Sequence, residues 1–82
     1  MLRVEEMIKQ TKKKATMSEI LSFISSMFRK DQCIEVKEED LVKVRTVNSD
    51  LSSDIDVYAV IICNRFYFIY VFSDHMSLYL TV

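Results

Sequence analysis

The chain contains no glycine and no proline. Phosphate-cradling loops, dinucleotide fingerprints and nucleophile elbows need glycine where backbone nears a ligand or turns sharply, so those enzyme classes are excluded. Histidine occurs once, at His75, and cysteine twice, at Cys33 and Cys63. Two cysteines make no disulfide framework. With Cys63 inside an expected buried strand, both read as reduced, small hydrophobes of a cytoplasmic protein. Zinc would need Cys33, Cys63 and His75 to converge with a fourth ligand, and no Cys-x-x-Cys spacing prepares such a site. A Cys63, His75 and Asp74 catalytic set is equally unsupported, because a buried thiol without an orienting group or oxyanion hole is a poor nucleophile. The chain reads as a non-enzyme with no cofactor and no metal.

Long apolar runs are missing too. The longest candidate, Val57 to Phe72, spans sixteen residues, short of the roughly 20 that a helix needs to cross a bilayer. Arg65 would sit near its middle, at a cost of about 2.5 to 3.5 kcal/mol. The first residues, Met-Leu-Arg-Val-Glu-Glu, lack the apolar centre of a signal peptide. A protein that stays in the cytoplasm is expected.

What the chain does have is that central stretch, dense in aromatic and β-branched side chains. Such residues fit a pleated, packed surface. It reads as two strands, with Asn64 and Arg65 as a two-residue hairpin loop. At 82 residues there is room for one domain, residues 1–82, whose core is marginal and whose apolar faces all need cover.

Charge is uneven although the net is −1. Residues 1–34 carry seven Lys or Arg against four acids, and residues 35–56 carry three against seven. Residues 2–14, with Leu2, Val4, Met7 and Ile8 apolar, acids early and Lys9, Lys12, Lys13 and Lys14 late, read as a helix whose charges complement its dipole. The lysines read as a solvated helix end, since no aromatic residue accompanies them and direct nucleic-acid contact needs more positive charge. A second helix follows from Ser18 as N-cap, with Thr16 as the alternative, and Glu19 in its first turn. Ile20, Leu21, Phe23, Ile24, Met27 and Phe28 recur at helical spacing and form its apolar stripe.

Cys33 to Lys37 and Leu41 to Val47 alternate like strands, with Ile34, Val36, Val42 and Val44 inward. Asn48 to Asp54 is a polar loop that lacks the glycine and terminal Glu of a calcium-binding loop. Ser73 to His75 reads as a turn, and Met76 to Val82 as a last strand. The expected architecture is therefore α+β: two N-terminal helices packed on one face of a four- to five-stranded antiparallel sheet. The other face is left to water or a partner, and apolar residues on both sides of the central strands favour a partner.

In this order of elements, the stretch from Asp40 to Tyr58, with Phe68 to His75, resembles the uracil-DNA glycosylase inhibitors of phages and mobile elements. The likeness spans residues 16–82. Ser18-Glu19-Ile20 offers the residue types of the family's Glu-Ser-Ile signature in another order. The resemblance implies a DNA-mimicking acidic edge, carried here by Ser18, Glu19, Ile20, Glu38, Glu39, Asp40, Asp50 and Asp54, with Glu35 and Asp56 as further acids. It also implies an apolar pocket between helix and sheet, lined by Ile24, Met27, Phe28, Val44, Val57, Ala59 and Val71, that receives one side chain of the enzyme. The implied partner is the host's uracil-DNA glycosylase, met in the host cytoplasm. Two further expectations stand beside it: an inhibitor or antitoxin against another enzyme, such as a host-defence nuclease, and a homodimer that pairs its outer sheet faces or its edge strands.

Overall fold

The computed structural model describes residues 2–10, 13–28, 36–48 and 54–81, with Asn48 described by its backbone alone. The elements are β1 (Leu2–Ile8), α1 (Met17–Met27), a single 3-10 turn (Glu38–Asp40), β2 (Val42–Asn48), β3 (Asp54–Ile62), β4 (Arg65–Val71) and β5 (His75–Leu80). The strands form one antiparallel sheet in the order β1-β5-β4-β3-β2. Among the described residues one helix covers it, and the first segment is a strand, so the expected pair of N-terminal helices is corrected. Among the described residues no helix is long and apolar enough to cross a membrane.

The first segment is a strand for a physical reason. A helix this short is marginal on its own. Pairing with β5 instead satisfies the backbone groups of that strand's open side, from Leu2↔Leu80 to Ile8↔His75. The amide of Lys9 extends the pairing to the carbonyl of Asp74 at 2.7 Å. The ladder shifts register between Arg3 and Glu5, leaving Val4 as the extra residue of a bulge.

α1 begins two residues earlier than a cap at Ser18 would place it. Thr16 is the N-cap: its hydroxyl accepts from the amide of Glu19, and the Glu19 carboxylate accepts from the amide of Thr16. This reciprocal pair satisfies two amides that the helix itself leaves open. Ile20, Phe23 and Ile24 then point at the sheet and are buried to 2% exposure or less. They meet Val60 and Ile62 of β3, Tyr67, Ile69 and Val71 of β4, and Met76 and Leu78 of β5. Each large side chain so covered contributes about 1.5 to 3 kcal/mol.

The hairpin turn lies one residue earlier than expected. Cys63 and Asn64 both have positive φ, 52° and 64°, the requirement of a two-residue turn whose twist matches its strands. Ile62 pairs with Arg65 and Val60 with Tyr67. Because the shift changes each pairing by two residues, every side chain keeps its expected face. Cys63 itself is exposed and disulfide-bonded, which corrects the expectation of a buried, reduced thiol. The chain's other cysteine, Cys33, lies outside the described residues, as do Ile34 and Glu35 of the expected strand there. Val42 and Val44, expected inward, are 58% and 48% exposed. They sit on an edge strand that α1 does not reach.

Candidate binding surface

Strict alternation along β3 and β4 divides the sheet into two unlike faces. Even positions of β3 (Tyr58, Val60, Ile62) and odd positions of β4 (Tyr67, Ile69, Val71) pack under α1. The intervening residues therefore face away from it. On that open face the register builds continuous rows across all five strands. One row runs Arg45, Val57, Tyr70, Ser77, Glu6, and the next runs Val42, Ala59, Phe68, Tyr79, Arg3. Beyond them Ile61 pairs with Phe66 at one end, while Val47 pairs with Ile55 and Ile8 with His75 at the other.

β4 thus carries an aromatic column, Phe66, Phe68 and Tyr70, continued by Phe72. Phe66 and Phe68 meet edge-on at 5.2 Å, and Tyr70 meets Tyr79 edge-on at 5.0 Å. Phe72 stacks on the His75 ring at 4.0 Å. His75 is held in turn by the carboxylates of Asp74 at 2.5 Å and Glu6 at 3.5 Å, and Glu6 also meets Arg3 at 3.6 Å. The aromatic rings cover Val57 and Ser77 but are only half-buried themselves, and Phe66 and Ile61 remain 43% and 65% exposed. A hollow of about 320 Å³ beside them is lined by Asp40, Val42, Ala59, Val60, Ile61 and Phe66. A second, of about 410 Å³, lies between the end of β1 and the start of α1.

The residues expected to line a slot between helix and sheet are not brought together. Ile24 and Val71 belong to the closed core, and Met27 and Phe28 pack against it, with Phe28 edge-on to Tyr67 at 5.4 Å. Val57 and Ala59 face the opposite side of the sheet, and Val44 is the exposed extra residue of a second bulge, between Lys43 and Arg45. The chain's own side chains occupy the space where the slot was expected.

The acidic positions separate in a similar way. Ile20 is core, while Ser18 and Glu19 are exposed at the start of α1. Glu38, Glu39 and Asp40 are exposed in the 3-10 turn, where Asp40 accepts from the amide of Lys37 at 2.9 Å. Asp54 is exposed at the start of β3, and Asp50 lies outside the described residues.

Asp56 differs from all of these, being 5% exposed. Its carboxylate meets the ammonium groups of Lys14 at 3.1 Å and Lys43 at 3.5 Å, and it accepts from the Thr46 hydroxyl at 3.0 Å. Burial, the largest single influence, pushes this carboxyl up. The hydrogen bonds from Lys14 and Thr46 and the charges of both lysines together outweigh it and hold the group below its ordinary value. Asp56 is thereby a structural clasp from the segment before α1 to β2 and β3, unavailable as a phosphate mimic.

Cys63 precedes the start of β4 and His75 opens β5 beside the end of β4, a separation of roughly 30 Å at about 3.4 Å per residue, so they form no nucleophile and base pair. Among the described residues no group of three or more His, Cys, Asp or Glu side chains is arranged to hold a metal ion. The aromatic column was the part of the surface that sequence reasoning left unassigned. Its signal is present in Phe66 to Phe72, where consecutive residues are apolar and both faces of one strand must be covered. No protein-family model, no curated protein and no solved structure matches this chain.

Proposed function

We propose that the chain is a non-catalytic binding protein that acts by covering part of another macromolecule, with the open sheet face as its contact surface. One observation carries this reading: the aromatic column Phe66, Phe68, Tyr70 and Phe72 lies on the side away from α1, bordered by Arg3 and Arg45. Aromatic and arginine side chains dominate the energetic centres of protein interfaces, whereas Lys and Glu are depleted there. Cross-linking in the producing cell tests it with the wild type and Ile61→Ser/Phe66→Ser. Both side chains lie outside the core under α1, so the variant stays folded, with an unfolding midpoint lowered only by the lost Phe66–Phe68 contact, and loses the cross-linked species. A wild type that cross-links to nothing, itself included, contradicts the reading, as does a variant that retains every species.

Inhibition of a uracil-DNA glycosylase is the second reading. It is supported by three consecutive exposed carboxylates, Glu38, Glu39 and Asp40, with Glu19 exposed at the start of α1, since competition with DNA needs negative charge that stays accessible. Titration of the chain into a uracil-excision assay decides it. Excision stops at stoichiometric inhibitor, Glu38→Lys/Glu39→Lys weakens the block strongly, and Lys13→Glu leaves it intact. Undiminished excision at excess removes this reading, and inhibition of a nuclease instead transfers the role to that enzyme. A cytoplasmic site of action goes with an inhibitor of this kind, while the disulfide at Cys63 weighs toward an oxidising compartment.

A further inference from the structure

We infer that the macromolecule covering the open face is a second copy of this chain, with the two sheets packed face to face about a two-fold axis parallel to the strands. This rests on the reading of that face as the contact surface. Strand addition at the edges is the alternative route to a dimer, and both edges oppose it. β1 is interrupted by the bulge at Val4 and carries Arg3, Glu5 and Glu6; β2 is interrupted by the bulge at Val44 and carries Lys43 and Arg45. Bulges and charges are the devices that keep an edge from pairing.

The face has the size an interface needs. Five strands of six to nine residues, about 4.8 Å apart and about 3.4 Å per residue, span roughly 24 by 20 to 30 Å. That is the scale of the roughly 800 Å² each partner contributes to a standard interface.

The face is also complementary to itself. A two-fold axis running along β4 keeps each row in register and exchanges the two edges, so β1 lies over the partner's β2 and β5 over the partner's β3. In the row Arg45, Val57, Tyr70, Ser77, Glu6, the cation at one end then meets the anion at the other, twice by symmetry. In the row Val42, Ala59, Phe68, Tyr79, Arg3, the large ring of Tyr79 falls over the small Ala59, and the stem of Arg3 falls over Val42. Val47 falls over Ile8, two apolar residues that the single chain leaves exposed. An axis perpendicular to the strands would instead set Arg45 on Arg45 and Glu6 on Glu6. Aligned packing of twisted sheets turns the rows by about 30°, within the reach of an arginine side chain.

Sedimentation equilibrium on the full chain at micromolar concentration tests this, together with acrylamide quenching of tyrosine emission, which no tryptophan obscures. The expected mass is that of two chains, with Tyr70 and Tyr79 shielded. Arg45→Glu and Glu6→Arg each weaken the dimer about tenfold or more, and the double exchange restores it, because the pair re-forms with its signs reversed. Both positions are exposed, and circular dichroism verifies that the variants fold. A wild type of one-chain mass with quenchable tyrosines overturns the second copy but leaves the face as a contact surface for another protein. One-chain mass with shielded tyrosines overturns both. A dimer that ignores either charge reversal, or that the double exchange fails to restore, overturns the arrangement.

Discussion

The ammonium of Lys14 lies 3.1 Å from the carboxylate of Asp56 and joins the segment before α1 to the third strand. Since the folded chain holds Asp56 below its ordinary value, the sign of its contribution is fixed. The stabilisation is complete above the unfolded carboxylate pKa of about 3.9 and is lost as pH falls through the lower folded value. Asp56→Asn removes an ionised acceptor, and hydrogen bonds to charged groups are worth roughly 1.5 to 3 kcal/mol. Urea titrations at neutral pH are expected to separate wild type and variant by about that much, with the gap closing as pH falls below the ordinary carboxylate range. A gap that does not depend on pH would show that the clasp works through shape alone.

The start of α1 gives a second, sharper comparison. Thr16 and Ser18 are both acceptable N-caps by residue type, but only Thr16 makes the reciprocal exchange with Glu19. Thr16→Ala is expected to cost about 1 kcal/mol, within a range of roughly 0.5 to 2, and Ser18→Ala a few tenths at most. Equal losses in paired denaturation curves would contradict the cap assignment.

These details mark how far the sequence was legible. The β3-β4-β5 meander and the α1 stripe were readable because strand-type composition and a period-3.6 pattern there agree with burial, whereas β4, apolar at almost every position, gives no sign of which face is which. β1 was not readable. Leu2, Val4, Met7 and Ile8 fit a helix as well as a strand, and only the unpaired side of β5, a fact about a segment some seventy residues away, decides between them. Val44 misled for a related reason: a bulge resets the alternation on which an inward or outward assignment depends. The expected slot failed because resemblance grouped Val57 and Ala59 with Val71, although the register pairs even positions of β3 with odd positions of β4, so residues of the same parity on these two strands lie on opposite faces. With Asp56 opposite Val71, the odd positions of β3 are on the other side.

Cys63 supplies a third prediction. Its disulfide pins the β3-β4 turn at one end of the two longest-paired strands. Reduction with dithiothreitol, or Cys63→Ser, is expected to lower stability by about 2 to 4 kcal/mol, largely by freeing the unfolded chain. Since Cys63 is exposed, the substitution leaves no core cavity, so the two treatments should give the same shift. A protein whose unfolding midpoint ignores reductant would place this cysteine in the reduced state, and would restore the case for a reducing compartment.

The edge strands allow the most direct test of how association is controlled. Val44 is the residue that β2 has in excess, standing between Lys43, paired with Tyr58, and Arg45, paired with Val57. Deleting it joins those two pairs into an unbroken ladder without moving any other side chain to the wrong face, since the residues on either side already alternate correctly with β3. The stability of the chain should change little, because Val44 is 48% exposed and packs on nothing in the core. What changes is the outer rim of the sheet, which becomes a longer, regular row of open amides and carbonyls available to another chain. Light scattering on the deletion variant is therefore expected to give a mass that climbs past two chains as concentration rises, with added strand signal in circular dichroism. Wild type should level off. If the deletion variant levels off at the same mass, the charges of Lys43 and Arg45 suffice to guard the edge, and reversing the order of test, with Lys43→Val/Arg45→Val on the bulged strand, should then release the same growth.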